Sequence, residues 1–240
     1  RLFESNIESV NVLNVFPAPD GDTGTNMFLT LQDMMKATET VRDSSAGEFA
    51  SAMARGALMG ARGNSGLILS QFFKGLAQEL NGKSDYGPRD LASGLRSARD
   101  HSYRAVGKPV EGTMLTVISS VADAAAQSAD SGATLQGLLD AVCQAAEETV
   151  ALTPTMLPVL RDAGVVDAGG FGLSIILKGV RLYVAGEESD LAEIQPPEPV
   201  GVEATGRIVS QQFLEATDEE LYGYCTQFLV EGEDLDLEDV

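Results

Sequence analysis

Leu13-Asn14-Val15-Phe16-Pro17-Ala18-Pro19-Asp20-Gly21-Asp22-Thr23-Gly24-Thr25-Asn26-Met27 packs two prolines, two glycines and two aspartates between stretches of helical character. On its N-terminal side, Leu2, Phe3, Ile7, Val10 and Leu13 recur with polar residues between them, which predicts an amphipathic helix over residues 1–14. Pro17 and Pro19 forbid its continuation. On the other side a helical period resumes from Met27 to Lys36, with Asn26 or Thr25 as its N-cap. The unit is helix, polar loop, helix.

Further out the same unit recurs. Residues 46–61 read as a helix of small residues (Ala50, Ala54, Gly56, Ala57, Gly60), which let neighbouring helix backbones approach closely. After Arg62-Gly63-Asn64, Ser65 is expected to cap a long apolar helix running to about Leu80, and Asn81 to Pro88 reads as loop. Arg89 to Val106, Thr113 to Ser131, Leu135 to Leu152 and Ala168 to Val184 read as four more helices. Residues 154–163 read as a short one with Pro154 in its first turn. About eight antiparallel helices on short loops predict an all-α barrel or bundle over residues 1–186.

Composition changes after Gly186. Pro196, Pro197 and Pro199 mark residues 187–205 as a linker. Tyr222 to Val230 has the alternation of a strand, and the acidic run Glu231 to Asp239 reads as a solvated tail or a helix start. Residues 206–240 are therefore expected to open a small α/β second domain that is cut short. Arg1 falls inside a helical pattern without a cap, so the chain is expected to start late.

The chain has 240 residues, 44% of them hydrophobic, and no tryptophan, a mix rich in Ala, Gly and Leu that favours packed helices over strands. Its formal net charge of -20 repels nucleic acid and anionic membrane surfaces. A polyphosphate ligand would need metal cations or backbone N–H groups to overcome that field. Cys143 and Cys225 lie far apart and match no metal-ligand spacing, which suits a reduced cytoplasmic protein. His101, in a polar run, reads as a surface residue. There is no signal-peptide pattern, and no apolar stretch approaches the ~20 residues of a membrane span.

Four segments carry candidate chemistry. In Asp20-Gly21-Asp22, two carboxylates flank a glycine that lets both turn toward one point, a donor set suited to Mg²⁺. Thr23, Thr25 and Asn26 add hydroxyl and amide groups where the next helix offers free N–H groups to an anion. The bland reading is an Asp-Gly turn that caps a helix. An EF-hand is disfavoured, because its twelfth position falls on Gln32 or Leu31. Gly63-Asn64-Ser65-Gly66 reads as a phosphate cradle or a helix corner, and it lacks the lysine of a P-loop. Gly112-Thr113-Met114-Leu115 opens another helix, with Met114 and Leu115 either flanking an adenine or simply core. Asp167 among Gly164, Gly169, Gly170 and Gly172 is a further ligand group or a plain N-cap.

Together these segments resemble the kinase (DhaL-like) domain of the bacterial fatty acid kinase, the ATP-binding subunit related to the nucleotide-binding subunit of dihydroxyacetone kinase. The matching pieces are Leu13 to Met27, Gly60 to Gly66 with Leu69-Ser70-Gln71, Glu111-Gly112-Thr113 and Gly164 to Gly170. Leu221 to Phe228 is similar to the start of that subunit's middle domain. The resemblance implies a barrel of eight antiparallel helices with ATP or ADP and two Mg²⁺ ions at one end. It implies catalytic, metal-holding roles for Asp20 and Asp22, with Asn14 as a third oxygen ligand. The dihydroxyacetone branch carries a third aspartate where this chain has Val15, and a histidine where it has Thr23. Those departures favour the fatty acid branch. The nucleotide is then expected to contact Thr23, Thr25, Asn26, Gly63, Asn64, Ser65, Gly66, Gly112, Thr113, Met114, Asp167 and Gly169.

The expected reaction is phosphoryl transfer from ATP to the carboxylate of a fatty acid carried by a separate fatty-acid-binding protein. Two alternatives stay open: a kinase of small hydroxy or keto compounds such as dihydroxyacetone, and a nucleotide-sensing regulatory module without turnover. Oligomeric state, a homodimer included, is left open.

Overall fold

The computed structural model describes residues 1–42, 44–187 and 193–202, and all regular structure among them is helical. A 3₁₀ turn at Glu4–Asn6 leads into α1 (Ile7–Asn11), then α2 (Thr23–Thr38), a 3₁₀ turn at Glu39–Val41, and α3 (Ala46–Met59). α4 (Gly63–Leu80), α5 (Pro88–Arg104), α6 (Met114–Asp130), α7 (Leu135–Met156), α8 (Pro158–Ala163) and α9 (Ala168–Ala185) follow. From α2 to α7 each helix packs against the next. α9 then packs on α7 and α6 and touches α1 and α2, closing the ring. Inside it Met27, Leu69, Ile118, Leu138 and Phe171 are fully buried. The all-α bundle expected from the helical periods is the observed fold.

The small residues serve as contact points between helices. A Cβ added at Gly56 would lie 2.6 Å from the Ala37 Cβ, and one at Gly172 would lie 2.7 Å from the Met27 sulfur. At Gly75 it would overlap the Ala98 backbone of α5. Helix starts are fastened locally. Ser45 Oγ accepts from Glu48 N (3.3 Å) while the Glu48 carboxylate accepts from Ser45 N (3.2 Å), and Thr134 Oγ1 accepts from Gly137 N at 3.1 Å.

Several boundaries differ from those read in the sequence. The amphipathic segment 1–14 is a 3₁₀ turn plus a helix of 5 residues rather than one helix. α2 starts at Thr23, so neither Thr25 nor Asn26 is its N-cap. Asn11 of α1 supplies the cap instead: its Oδ1 accepts from Thr25 N and its Nδ2 donates to Thr25 Oγ1, both at 3.1 Å. α4 starts at Gly63, which places Ser65 inside the first turn rather than at the cap.

α7 runs through Pro154 to Met156, and it is Pro158 that opens the short α8. Proline removes the N–H that would bond Val150 O, and Thr153 Oγ1 donates to that carbonyl at 2.7 Å in its place. The helix therefore survives a residue that usually ends one.

Residues 193–202 form no helix and lie along the bundle, with Ile194 N donating to Asn6 Oδ1 (2.6 Å) and Val200 N to Ala151 O (2.9 Å). The expected strand at Tyr222 to Val230, the acidic run after it, the second domain and Cys225 lie outside the described residues.

One helix among the described residues, α9, is long and apolar enough by length and composition to cross a membrane, with 18 residues at a mean hydropathy of 1.3. Half of it is buried. Its apolar face packs on α6 and α7, which accounts for the hydropathy.

Candidate functional site

An up-and-down ring starts every second helix at the same end, so the N-termini of α2, α4, α6 and α9 come together. A cavity of about 680 Å³ opens among them. It is lined by Asn14, Asp20, Asp22, Thr23 and Asn26, by Gly63, Asn64 and Ser65, by Thr113 and Met114, and by Asp167 and Gly169. All four segments singled out in the sequence thus reach one cleft. Each helix start contributes roughly half a positive charge and unpaired N–H groups, an environment for an anion within an acidic protein.

Three expected residues point elsewhere. Thr25 is held by Asn11. Gly66 packs against Thr30, where a Cβ would come 2.6 Å from the hydroxyl oxygen. Gly112 (φ +82°) faces Leu157 and the Thr153 carbonyl, and its N–H donates to Thr116 Oγ1 at 2.8 Å. None of the three is among the lining residues.

Local chemistry holds the loops in place. Asn14 is buried; its Nδ2 donates to Asp20 Oδ1 (2.5 Å) and Ala18 O (3.1 Å), and its Oδ1 accepts from Thr23 Oγ1 (2.7 Å). Its amide nitrogen, not the carbonyl oxygen expected as a third metal ligand, faces Asp20. Thr30 secures the second loop: its hydroxyl donates to Asn26 O (2.8 Å) and Gly60 O (3.3 Å) and accepts from Arg62 N (3.3 Å). This tie sets Gly63, at φ +58°, against the Asn26 side chain.

Burial, and next to it the Asp20 charge, raise the Asp22 carboxyl above its ordinary value, while the Asn26 side chain works against the rise. A cation between the two aspartates would relieve both effects. No group of three or more His, Cys, Asp or Glu with metal-site geometry occurs among the described residues. An ion here would therefore have two protein carboxylates and would complete its shell with phosphate oxygens and water, as Mg²⁺ does. The donor set fits that ion.

At the opposite wall Asp167 is buried, caps α9 by accepting from Gly170 N at 2.7 Å, and also accepts from Met114 N at the start of α6. Burial pushes its carboxyl up to about 6. The plain N-cap expected for Asp167 is observed, and the residue is also among those that line the cleft. Glu111 accepts from Thr116 Oγ1 (2.6 Å) and from Tyr103 OH (3.1 Å), bracing the loop before α6. Burial, with Glu111 beside it, moves the tyrosine to about 12.

His101 contacts Gln78 Oε1 at 2.8 Å and is not among the lining residues. Sequence reading missed Phe16, Ile68, Val106, Lys108 and Val110 in the lining, and gave Arg62 no role. Apolar residues in a chain this rich in them carry no signal. Lys108, a cation between Gly107 and Pro109 in a strongly acidic chain, was a legible one.

The family match makes this closed ring of helices, with alternate N-termini around a cleft bearing paired carboxylates, a kinase-related, nucleotide-binding module. The chain belongs to the DAK2 domain family, whose model matches residues 17–182. It is 39% identical over 225 residues to Protein YloV of Bacillus subtilis (strain 168), a match covering 94% of this chain and 40% of that protein. An uncharacterized protein of Staphylococcus aureus (strain USA300) is 39% identical over 228 residues, covering 94% of this chain and 41% of the relative. The chain thus spans about two fifths of the length of the curated relatives it matches.

Proposed function

We propose that the cleft binds ATP with Mg²⁺ and transfers the γ-phosphoryl group to the carboxylate of a fatty acid presented by an acyl-binding partner protein in the cytoplasm. The observation that carries this reading is the convergence of Asp20, Asp22 and four helix N-termini on one cavity of about 680 Å³, within the range of nucleotide pockets.

In this reading Asp20 and Asp22 hold the metal, two ions in all, which neutralises phosphate charge. Asn14 orients Asp20. Thr23, Asn26, Asn64 and Ser65 offer donors to phosphate oxygens, and Met114 and Leu115 give the base an apolar wall. An acceptor carboxylate oxygen attacks the γ-phosphorus, the bond to the β-phosphate oxygen breaks, and ADP leaves beside an acyl phosphate. Such a transfer is mainly positioning and charge stabilisation. A carboxylate is already ionised at neutral pH and needs no base, in keeping with a lining that holds no histidine.

A small hydroxy or keto acceptor is the second reading. Asp167 adds a carboxylate to the lining that can take a hydroxyl proton, and it favours that reading. The test is ATP consumption by the full-length protein with acyl-loaded carrier or with dihydroxyacetone. Stimulation by the loaded carrier alone supports the first reading. Stimulation by dihydroxyacetone alone overturns it in favour of the second, and slow turnover indifferent to both assigns a regulatory module.

A further inference from the structure

The cavity lining has two cationic side chains, Arg62 and Lys108. Arg62 is engaged: one guanidinium nitrogen lies 3.5 Å from Asp33 Oδ2 and the other donates to Ala61 O at 3.1 Å. Lys108 is exposed on the loop between α5 and α6 and makes no ion pair among the described residues.

The loop holds it in place. Thr113 Oγ1 donates to Val110 O at 2.7 Å, Gly112 N donates to Thr116 Oγ1, and Tyr103 bonds Glu111 across the base of the loop. Pro109 restricts the backbone directly after the lysine. Gly107 before it stands in open space, where an added Cβ would meet nothing.

Charge decides what Lys108 is for. On the nucleotide reading, ATP⁴⁻ and the Asp20–Asp22 pair bring six negative charges, of which two Mg²⁺ ions offset four. Asp167 already occupies N–H groups at the starts of α6 and α9. The N–H groups left at the four helix starts offset only part of the remaining phosphate charge. A net negative balance remains at the phosphates, and the cavity has one uncommitted side-chain cation to meet it.

We propose that Lys108 contacts the polyphosphate of a nucleotide bound in the cleft, a role that rests on the nucleotide-binding reading above. Its flexible stem and compact charge suit a group that follows phosphate oxygens through transfer.

Titration calorimetry with ATP and Mg²⁺ on the wild type, Lys108→Ala, Lys108→Gln and Lys108→Arg tests this, with thermal melts of each. Loss of a hydrogen bond to a charged group should weaken ATP binding about ten- to a hundredfold in the Ala and Gln variants, with Arg retaining most of it. Melts should coincide, since the side chain is exposed. Equal affinity in all four proteins overturns the role of Lys108 alone, as does an Arg variant as weak as Ala. A wild type that fails to bind ATP overturns the nucleotide reading and this inference with it.

Discussion

Asp167 donates its backbone N–H to the Thr153 hydroxyl oxygen at 3.0 Å, and the Thr153 hydroxyl donates in turn to Val150 O at 2.7 Å. That carbonyl is the one Pro154 leaves without its helical donor. A single buried hydroxyl therefore repairs α7 and anchors the start of α9, and with it one wall of the cleft.

Thr153→Val keeps the shape and removes both bonds. Two buried backbone groups are left unpaired, so a loss of about 2–4 kcal/mol in unfolding free energy is expected from urea denaturation. Thr153→Ser should retain most of the wild-type value. A Val variant as stable as wild type would show that the hydroxyl is dispensable.

The Asp167 carboxyl, raised from 3.8 to about 6, makes stability depend on pH. Its protonated form is favoured in the fold, so the native state binds more protons than the unfolded chain between those values. The contribution is full below about pH 4 and is lost as pH rises through 6, a difference of roughly 3 kcal/mol at most. Asp167→Asn keeps an N-cap acceptor and lacks the titration. Urea midpoints from pH 4 to 7 should fall for wild type relative to the variant, and parallel profiles would contradict the raised value.

Asp22→Ala removes a carboxylate from a polar loop and little packing, so unfolding free energy should stay within about 0.5 kcal/mol of wild type. Asp20→Ala also takes the acceptor of the buried Asn14 amide and should cost about 1–3 kcal/mol. ATP binding should be weak in EDTA and strong with Mg²⁺ or Mn²⁺ in the wild type. The Asp20→Asn/Asp22→Asn double variant should narrow that gap, because repulsion and metal ligands disappear together. Calorimetry with and without metal reads both, and ATP affinity indifferent to divalent cations defeats the carboxylate clamp.

Gly75→Ala places a methyl group into the Ala98 backbone where α4 and α5 meet. The helices must separate, at about 1–3 kcal/mol in a thermal or urea melt. Gly82→Ala, which meets no neighbour, tests the other extreme: its strain comes only from φ +75°. A Gly75 variant that melts with wild type would mean that this contact is looser than it stands.

The helical periods, the glycine-and-hydroxyl loops and the acidic charge were legible in the chain because each is local: spacing, turn chemistry and composition are written residue by residue. From them came the all-α ring and the segments that meet at its end. What lay beyond the sequence was non-local. Asn11 caps α2 from another helix, Thr153 rescues α7 across Pro154, and Asn14 turns its nitrogen to Asp20, each choice made by a partner that only folding brings near. Likewise Gly66 and Gly112 read as ligand glycines, and folding packs them against Thr30 and against Leu157 and the Thr153 carbonyl. A glycine beside a helix start looks the same in sequence whether a phosphate or a neighbouring backbone fills the space, and ring closure alone decides which.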